Sequence, residues 1–260
     1  MHILSYLIDI ILTGYITWEV VRFPASYRQL KQAIVDGDPQ ARTRVYRRAI
    51  VFEWVSALLS LAALGFDWSK LNPKLLALDG LRMIQMAPHS ANFDRGAMAG
   101  LFVGVAMGTI GFIIVRLKAN RRGATAAANA PVGGLRRLMP DFSAMIPVTT
   151  NERLLWTVVA ISAGICEEIV FRGWLLATLH APLLLAGTAL VVAASVIFGL
   201  AHSYQGITGM LLTAFAGAFF CGLYVATGSL LMPILLHIVI DARFAILPGP
   251  RVQAPRVAYT

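Results

Sequence analysis

The chain has 260 residues, of which 58% are hydrophobic and 13% charged, and its mean hydropathy is +0.71. Soluble domains average about 45–50% apolar and about 25% charged residues, so this composition excludes an ordinary soluble protein and predicts an all-helical polytopic membrane protein. The net charge of +9 does not indicate a nucleic-acid partner, because no basic-aromatic patch or nucleic-acid-binding motif accompanies the basic loops.

Seven apolar runs are each long enough for a helix to cross the ~30 Å hydrocarbon core of a bilayer. In chain order these predicted spans are His2–Val21, Ala49–Phe66, Gly96–Val115, Leu154–Leu176, Leu183–Ala201, Ile207–Ala226 and Leu230–Leu247. Asp9 interrupts the first span, and the pattern leaves open whether it lies near the membrane surface or inside the bundle.

Composition also predicts how the chain is divided. Residues 1–134 form an accessory N-terminal membrane region with basic loops, residues 135–247 a core of four spans, and residues 248–260 a flexible tail. The boundary falls after the Ala-, Asn- and Gly-rich linker 123–134. Loops rich in Lys and Arg remain in the cytoplasm. We therefore predict an integral protein of the bacterial inner membrane, with its N-terminus outside and its C-terminus inside.

A charged cluster lies within the fourth span, where charge is costly and is retained mainly for function. On a helix, residues four apart share a face, so Glu168 and Arg172 are predicted to form a buried ion pair. Glu167 points about 100° away from Glu168, so the two carboxylates have different tasks. We predict that Glu167 is free to act as a general base that activates water.

Three further polar residues lie in the later spans: His202, His237 and Asp241. A single membrane histidine is commonly a hydrogen-bond partner between helices. These spans hold few ionisable residues, however, and most fall at spacings that allow them to meet at one depth. We therefore predict one buried site, in which the two imidazoles face Glu167 and Asp241 orients His237 or the water.

Three segments of the predicted core carry a family resemblance. The segment Glu167–Gly173 matches an EExxxR motif, Phe198–His202 an FxxxH motif, and His237–Asp241 an HxxxN/D motif. In this order they resemble the CPBP family, the CAAX-protease and bacteriocin-processing (Abi) membrane proteins. The resemblance covers residues 139–247.

The resemblance implies an intramembrane glutamic peptidase that needs no metal or other cofactor and cleaves a membrane-associated peptide or protein. It implies that Glu167, polarised with His202, activates water, and that His237 and Asp241 form the oxyanion-stabilising side. The third motif often ends in Asn, and an acid donates a hydrogen bond only when protonated, so orienting His237 is the better assignment for Asp241. The remaining motif residues are supporting ones: Glu168, Arg172 and Phe198.

Four alternatives stay open at this point. The four catalytic candidates are acceptable zinc ligands, which would give a metalloendopeptidase, although the chain has no HExxH motif. A serine peptidase would need Ser195 or Ser203, but neither lies in an elbow motif. The chain also fits a non-catalytic immunity or partner-binding membrane protein, or a transporter in which buried carboxylates and histidines relay protons.

Overall fold

The computed structural model describes residues 2–71, 143–180 and 187–246, and every regular element in these ranges is helical. This part contains seven α-helices: α1 His2–Val35, α2 Ala41–Ala63, α3 Thr150–Glu168, α4 Leu176–His180, α5 Gly187–Ala201, α6 Gly206–Thr227 and α7 Leu231–Ile246. A π-helix, Ile169–Leu175, joins α3 to α4, and 3₁₀ turns lie at Trp68–Leu71, Ser143–Met145 and Ser203–Gln205. The predicted all-helical class is confirmed.

Three helical segments of the described ranges are long and apolar enough to cross a membrane: Ile3–Val35, Thr150–His180 and Ser203–Thr227. Large apolar side chains stay exposed on their outer faces, as with Ile207 at 76% and Phe215 at 75% exposure. Contiguous exposed apolar surface of this kind suits contact with lipid, and the chain is an integral membrane protein. The predicted span Gly96–Val115 lies outside the described residues, so the count of seven crossings and the orientation stay predictions.

The first helix is longer than predicted. The sequence predicts a span ending at Val21 and a polar loop from Arg22 to Arg48 that contains a separate helical segment around Ala25–Val35. In the structure α1 runs without interruption through Pro24 to Val35. Tyr27 and Leu30 on this extension are each 3% exposed and pack with Tyr46 of α2. Burial of these side chains stabilises this part of α1. The polarity of residues 22–35 does not show that they pack against α2.

Asp9 lies inside the bundle rather than at the surface. Its Oδ1 accepts a hydrogen bond of 2.7 Å from the indole Nε1–H of Trp174 in the π-helix. Leu12, less than one turn further along α1, is fully buried in the main apolar core. The first helix therefore packs directly on the segment that follows the Glu167–Glu168 pair.

A capping box determines where α3 begins. The Thr149 hydroxyl accepts from the backbone N–H of Glu152 at 3.2 Å, and Oε2 of Glu152 accepts from the N–H groups of Val148 and Thr149. Reciprocal bonds of this type satisfy N–H groups that a helix start leaves without partners. Glu152 also lies 3.6 Å from the guanidinium of Arg42, which ties α3 to α2.

Helices α3 and α7 cross closely at Gly164. A Cβ built there would overlap the side chain of Ile238, lie 2.9 Å from its backbone nitrogen and lie 3.2 Å from the carbonyl oxygen of Ile234. Only a glycine permits this approach, which places Gly164, three residues before Glu167, against Ile238, the residue after His237. The crossing therefore positions α7 against the charged cluster of α3.

Gly164→Ala is expected to destabilise the protein by about 1–3 kcal/mol, the usual cost of overpacking, because backbone atoms of α7 would have to move. The midpoint of thermal unfolding in detergent checks this. Gly222→Ala in α6 is the matched control, since a Cβ there meets nothing within 4 Å and replacing a helical glycine gains about 0.5–1 kcal/mol. Equal unfolding temperatures for the two variants would contradict the close crossing.

Candidate active site

The carboxylate of Glu168 is the centre of a buried hydrogen-bond network. Its Oε1 accepts from Nη1 of Arg172 at 3.1 Å and from Nδ1 of His237 at 2.8 Å. Glu168 is 0% and Arg172 1% exposed. The predicted ion pair is confirmed, and the network extends to α7, which the sequence did not indicate.

Arg172 contacts groups from two other helices. Its Nη2 donates to the carbonyl of Gly217 in α6 at 3.2 Å. Its guanidinium carbon lies 4.6 Å from the ring centroid of Phe198 and 5.2 Å from that of Phe220, a distance at which the ring faces attract a cation. These contacts, with the Glu168 pair, offset the large cost of burying a guanidinium.

The imidazole of His237 has a defined orientation. Its ring stacks on Phe220, with centroids 5.2 Å apart and an interplanar angle of 21°. Because a carboxylate only accepts hydrogen bonds, Nδ1 carries the proton that goes to Glu168. The other nitrogen, Nε2, lies 3.6 Å from Oδ2 of Asp241 and 3.9 Å from Oε2 of Glu167.

Ring orientation by Glu168 differs from the expectation that Asp241 would orient His237. The Asp241 carboxylate is beyond direct hydrogen-bond distance from Nε2, whereas Glu168 is well within it. The reason is the close crossing of α3 and α7, which brings together residues 69 positions apart in the chain. The backbone carbonyl of Asp241 accepts from the indole N–H of Trp156 in α3 at 2.9 Å, which fixes this part of α7.

A cavity of about 380 Å³ collects the predicted catalytic residues. Its lining includes all four of these residues, Glu167, His202, His237 and Asp241, and also Phe198. One water needs only about 10–15 Å³ of such volume, and ligand cavities commonly hold some 300 Å³ or more. The space therefore accommodates a water and part of a substrate chain beside the carboxylates.

Glu167 and Glu168 differ in the way that the sequence predicted. Glu168 lies behind the cavity wall with two partners, while Glu167 lines the cavity with a 23% exposed side chain. Within the described ranges, Oε2 of Glu167 is buried without a hydrogen-bond partner. Oε2 of Glu168 is also buried without a partner among the described residues, so the difference between the two is that Glu167 lines the cavity.

The FxxxH spacing has a local structural explanation. Nδ1 of His202 is 2.9 Å from the carbonyl oxygen of Phe198, one turn back along the chain. Since a carbonyl accepts, Nδ1 is the nitrogen that donates, and in the neutral ring Nε2 is then the acceptor. The Phe198 ring in turn lies 4.8 Å from the His202 ring and against Arg172. Phe198 thus connects the histidine to the buried arginine.

A π-helix follows the acidic pair directly, from Ile169 to Leu175, and all seven of its residues are buried. The sequence predicted an uninterrupted α-helix here. π-Helices are rare and concentrate at functional sites, and their wider turns change which residues share a face. The Glu168–Arg172 contact is nevertheless present, and Arg172 also donates to the carbonyl of Gly217.

Comparison with known families gives one match. Residues 149–243 match the model of the family described as type II CAAX prenyl endopeptidase Rce1-like. These residues form an Rce1-like domain. Curated proteins and solved structures compared with the chain gave no match. Membership of this family indicates a membrane protease that acts on a protein or peptide, and the matched residues lie within the predicted core 135–247.

The Rce1-like domain does not enclose the cavity alone. Helices α1 and α2, which precede it, contribute Ile16, Phe23, Phe52 and Glu53 to the lining. Residues 1–134 were predicted to be an accessory region, and Glu53 was not among the predicted site residues. The signal that identified Glu167, a carboxylate within an apolar run, is present at Glu53 too, but nothing in the sequence related α2 to the Rce1-like domain.

Metal binding was the main mechanistic alternative. In the part of the chain that the structure describes, no three His, Cys, Asp or Glu side chains are grouped in a way that would hold a metal ion. This arrangement gives the metalloendopeptidase hypothesis no support. The prediction of metal-free chemistry in the Rce1-like domain remains to be tested by experiment.

Proposed function

We propose that the chain is an intramembrane endopeptidase in which a glutamate-activated water hydrolyses a peptide bond of a membrane-associated protein or peptide. The single observation that carries the proposal is the placement of Glu167. Glu167 lines the cavity, and its buried Oε2, which has no hydrogen-bond partner among the described residues, lies 3.9 Å from Nε2 of a histidine whose other nitrogen donates to Glu168.

This arrangement supports the following reaction. Glu167 accepts a proton from a water held between it and His202, and the water oxygen attacks the carbonyl carbon of the scissile bond. Protonated His237 donates its Nε2–H to the oxyanion that develops, as a preorganised donor. Glu167 then delivers its proton to the leaving nitrogen, the carbon–nitrogen bond breaks, and the products are a carboxylic acid and an amine.

The other site residues keep this machinery in position. Glu168 holds the His237 ring through Nδ1, and Arg172 holds Glu168. Asp241 lies 3.6 Å from Nε2 of His237, where its negative charge favours a protonated ring. A water between Asp241 and that ring would link the two groups within hydrogen-bond range.

The test is a cleavage assay on the full chain, purified in detergent, with a panel of lipidated and unlipidated peptides. Mass spectrometry is expected to find products cut at an internal peptide bond, and chelators such as 1,10-phenanthroline are expected to leave the rate unchanged. Loss of cleavage with chelator and its return with zinc would favour a metalloendopeptidase. A protein that cleaves nothing in the panel would favour a partner-binding or transport role.

A further inference from the structure

We propose that Glu53 and Ser56 of α2 form a subsite for a cationic group, the ammonium of a lysine side chain or an alkylamine, beside the acidic pair. This subsite deepens the proposed function and rests on it, since it would select substrates with a basic residue close to the scissile bond. It lies in α2, before the Rce1-like domain begins at residue 149.

Glu53 is a deeply buried carboxyl that faces the cavity. The residue is 8% exposed and belongs to the cavity lining. Its Oε2 is buried and accepts no hydrogen bond from the described residues. Since a buried charged or polar group is costly unless it is paired, a carboxyl in this state is completed by a ligand that supplies donors.

Ser56 provides a second, independent oxygen at the same place. It lies three residues after Glu53, which puts both side chains on one face of α2. Ser56 is 3% exposed, also lines the cavity, and its Oγ has no hydrogen-bond partner in the described ranges. A carboxylate and a hydroxyl one turn apart match an ammonium group, which has three N–H donors and no acceptor.

The charges around the cavity favour a cation over an anion. Glu19 already has an ion-pair partner in Arg48, and Arg243 interacts electrostatically with Asp241. Among the described residues no cation pairs with Glu53, and its electrostatic neighbours are the negative groups Glu167 and Asp241. A positive ligand would be attracted by all three carboxylates, whereas an anionic one would be repelled by them.

Apolar walls define the rest of the ligand. The lining beside the carboxylates includes Ile16, Phe23 and Phe52. Lysine and alkylamines place a charged head at the end of an apolar stem, which suits a site with both surfaces. Hexylammonium is therefore a simple probe, and hexanol is its uncharged match in chain length.

The experiment measures how much each probe raises the midpoint of thermal unfolding of the full chain in detergent, because a ligand that binds the native state raises it. Hexylammonium is expected to stabilise the wild type more than hexanol does. This excess should disappear in Glu53→Gln, because hydrogen bonds to charged groups make a difference of roughly tenfold or more in affinity. The excess stabilisation should be smaller in Ser56→Ala than in the wild type. This second variant provides the test if Glu53→Gln folds poorly.

Two further variants separate this subsite from the proposed chemistry. Glu167→Gln should keep most of the excess, because Glu53 and Ser56 make the direct contacts with the ammonium and Glu167 only adds attraction at longer range. This holds even if the chain cleaves nothing, so failure of the peptidase proposal would not affect the result. Glu152→Gln, a buried change away from the cavity lining, should keep it too. An excess that persists in Glu53→Gln, that vanishes only in Glu167→Gln, or that is absent from the wild type would overturn the subsite.

Discussion

Replacing Glu167 by glutamine is expected to lower the rate of peptide cleavage by about 10²–10⁴-fold, the usual contribution of a general base. The amide has nearly the same shape as the carboxylate but cannot accept the proton of the attacking water. Because Oε2 of Glu167 has no partner in the described part of the chain, the substitution breaks no hydrogen bond of the described protein. Product formation is measured under single-turnover conditions in detergent.

The matched control is Glu19→Gln, the same change in a cavity-lining carboxylate that is already paired with Arg48. This variant should retain most of the activity, and both variants should unfold near the wild-type temperature. A Glu167→Gln protein that is folded and cleaves at the wild-type rate would refute Glu167 as the base. The conservative Glu167→Asp is expected to fall between the two, because it keeps the acid but withdraws it by one methylene.

Arg172→Met is expected to destabilise the protein by about 3–5 kcal/mol, the typical cost of removing one partner of a buried ion pair. Glu168 would remain fully buried and charged with only His237 as a partner, and the carbonyl of Gly217 would lose its donor. Since Glu168 also holds the His237 ring, cleavage should fall together with stability. Thermal unfolding and single-turnover cleavage are measured on the same sample.

A double variant distinguishes loss of the pair from loss of packing. Glu168→Gln combined with Arg172→Met removes both buried charges, and it should recover a good part of the stability that Arg172→Met loses. Arg44→Met is the surface control, because Arg44 is exposed, its partner Asp38 is partly exposed, and surface pairs contribute little. Equal destabilisation by Arg44→Met and Arg172→Met would contradict the larger stabilising contribution of the buried Glu168–Arg172 network.

Much of the architecture was predictable because membrane-spanning helices are long, apolar and flanked by polar signals. The predicted spans Ile207–Ala226 and Leu230–Leu247 differ from α6 and α7 by one residue at each end. The order of the three motifs identified the family, and i,i+4 spacing was enough to predict the Glu168–Arg172 pair. These are local properties, in which a few neighbouring residues carry the whole signal.

Two features were decided by tertiary structure alone. The carboxylate that holds His237 is Glu168, because α3 and α7 approach closely at Gly164. The first span and the predicted helical segment Ala25–Val35 form one continuous helix through Pro24, and Tyr27 on this part is buried against other helices. Contacts of this kind join residues far apart in the chain, so no local pattern encodes them.

The position of Glu53 shows the same division. The sequence alone showed that Glu167, His202, His237 and Asp241 are polar residues within apolar spans. That these residues share one cavity, and that α2 adds a further carboxyl to it, was decided by how the helices pack. Helix packing depends on the fit of side chains across several helices at once. The hydrophobic pattern of the sequence shows which face of a helix is buried, but it does not show which helix packs against that face.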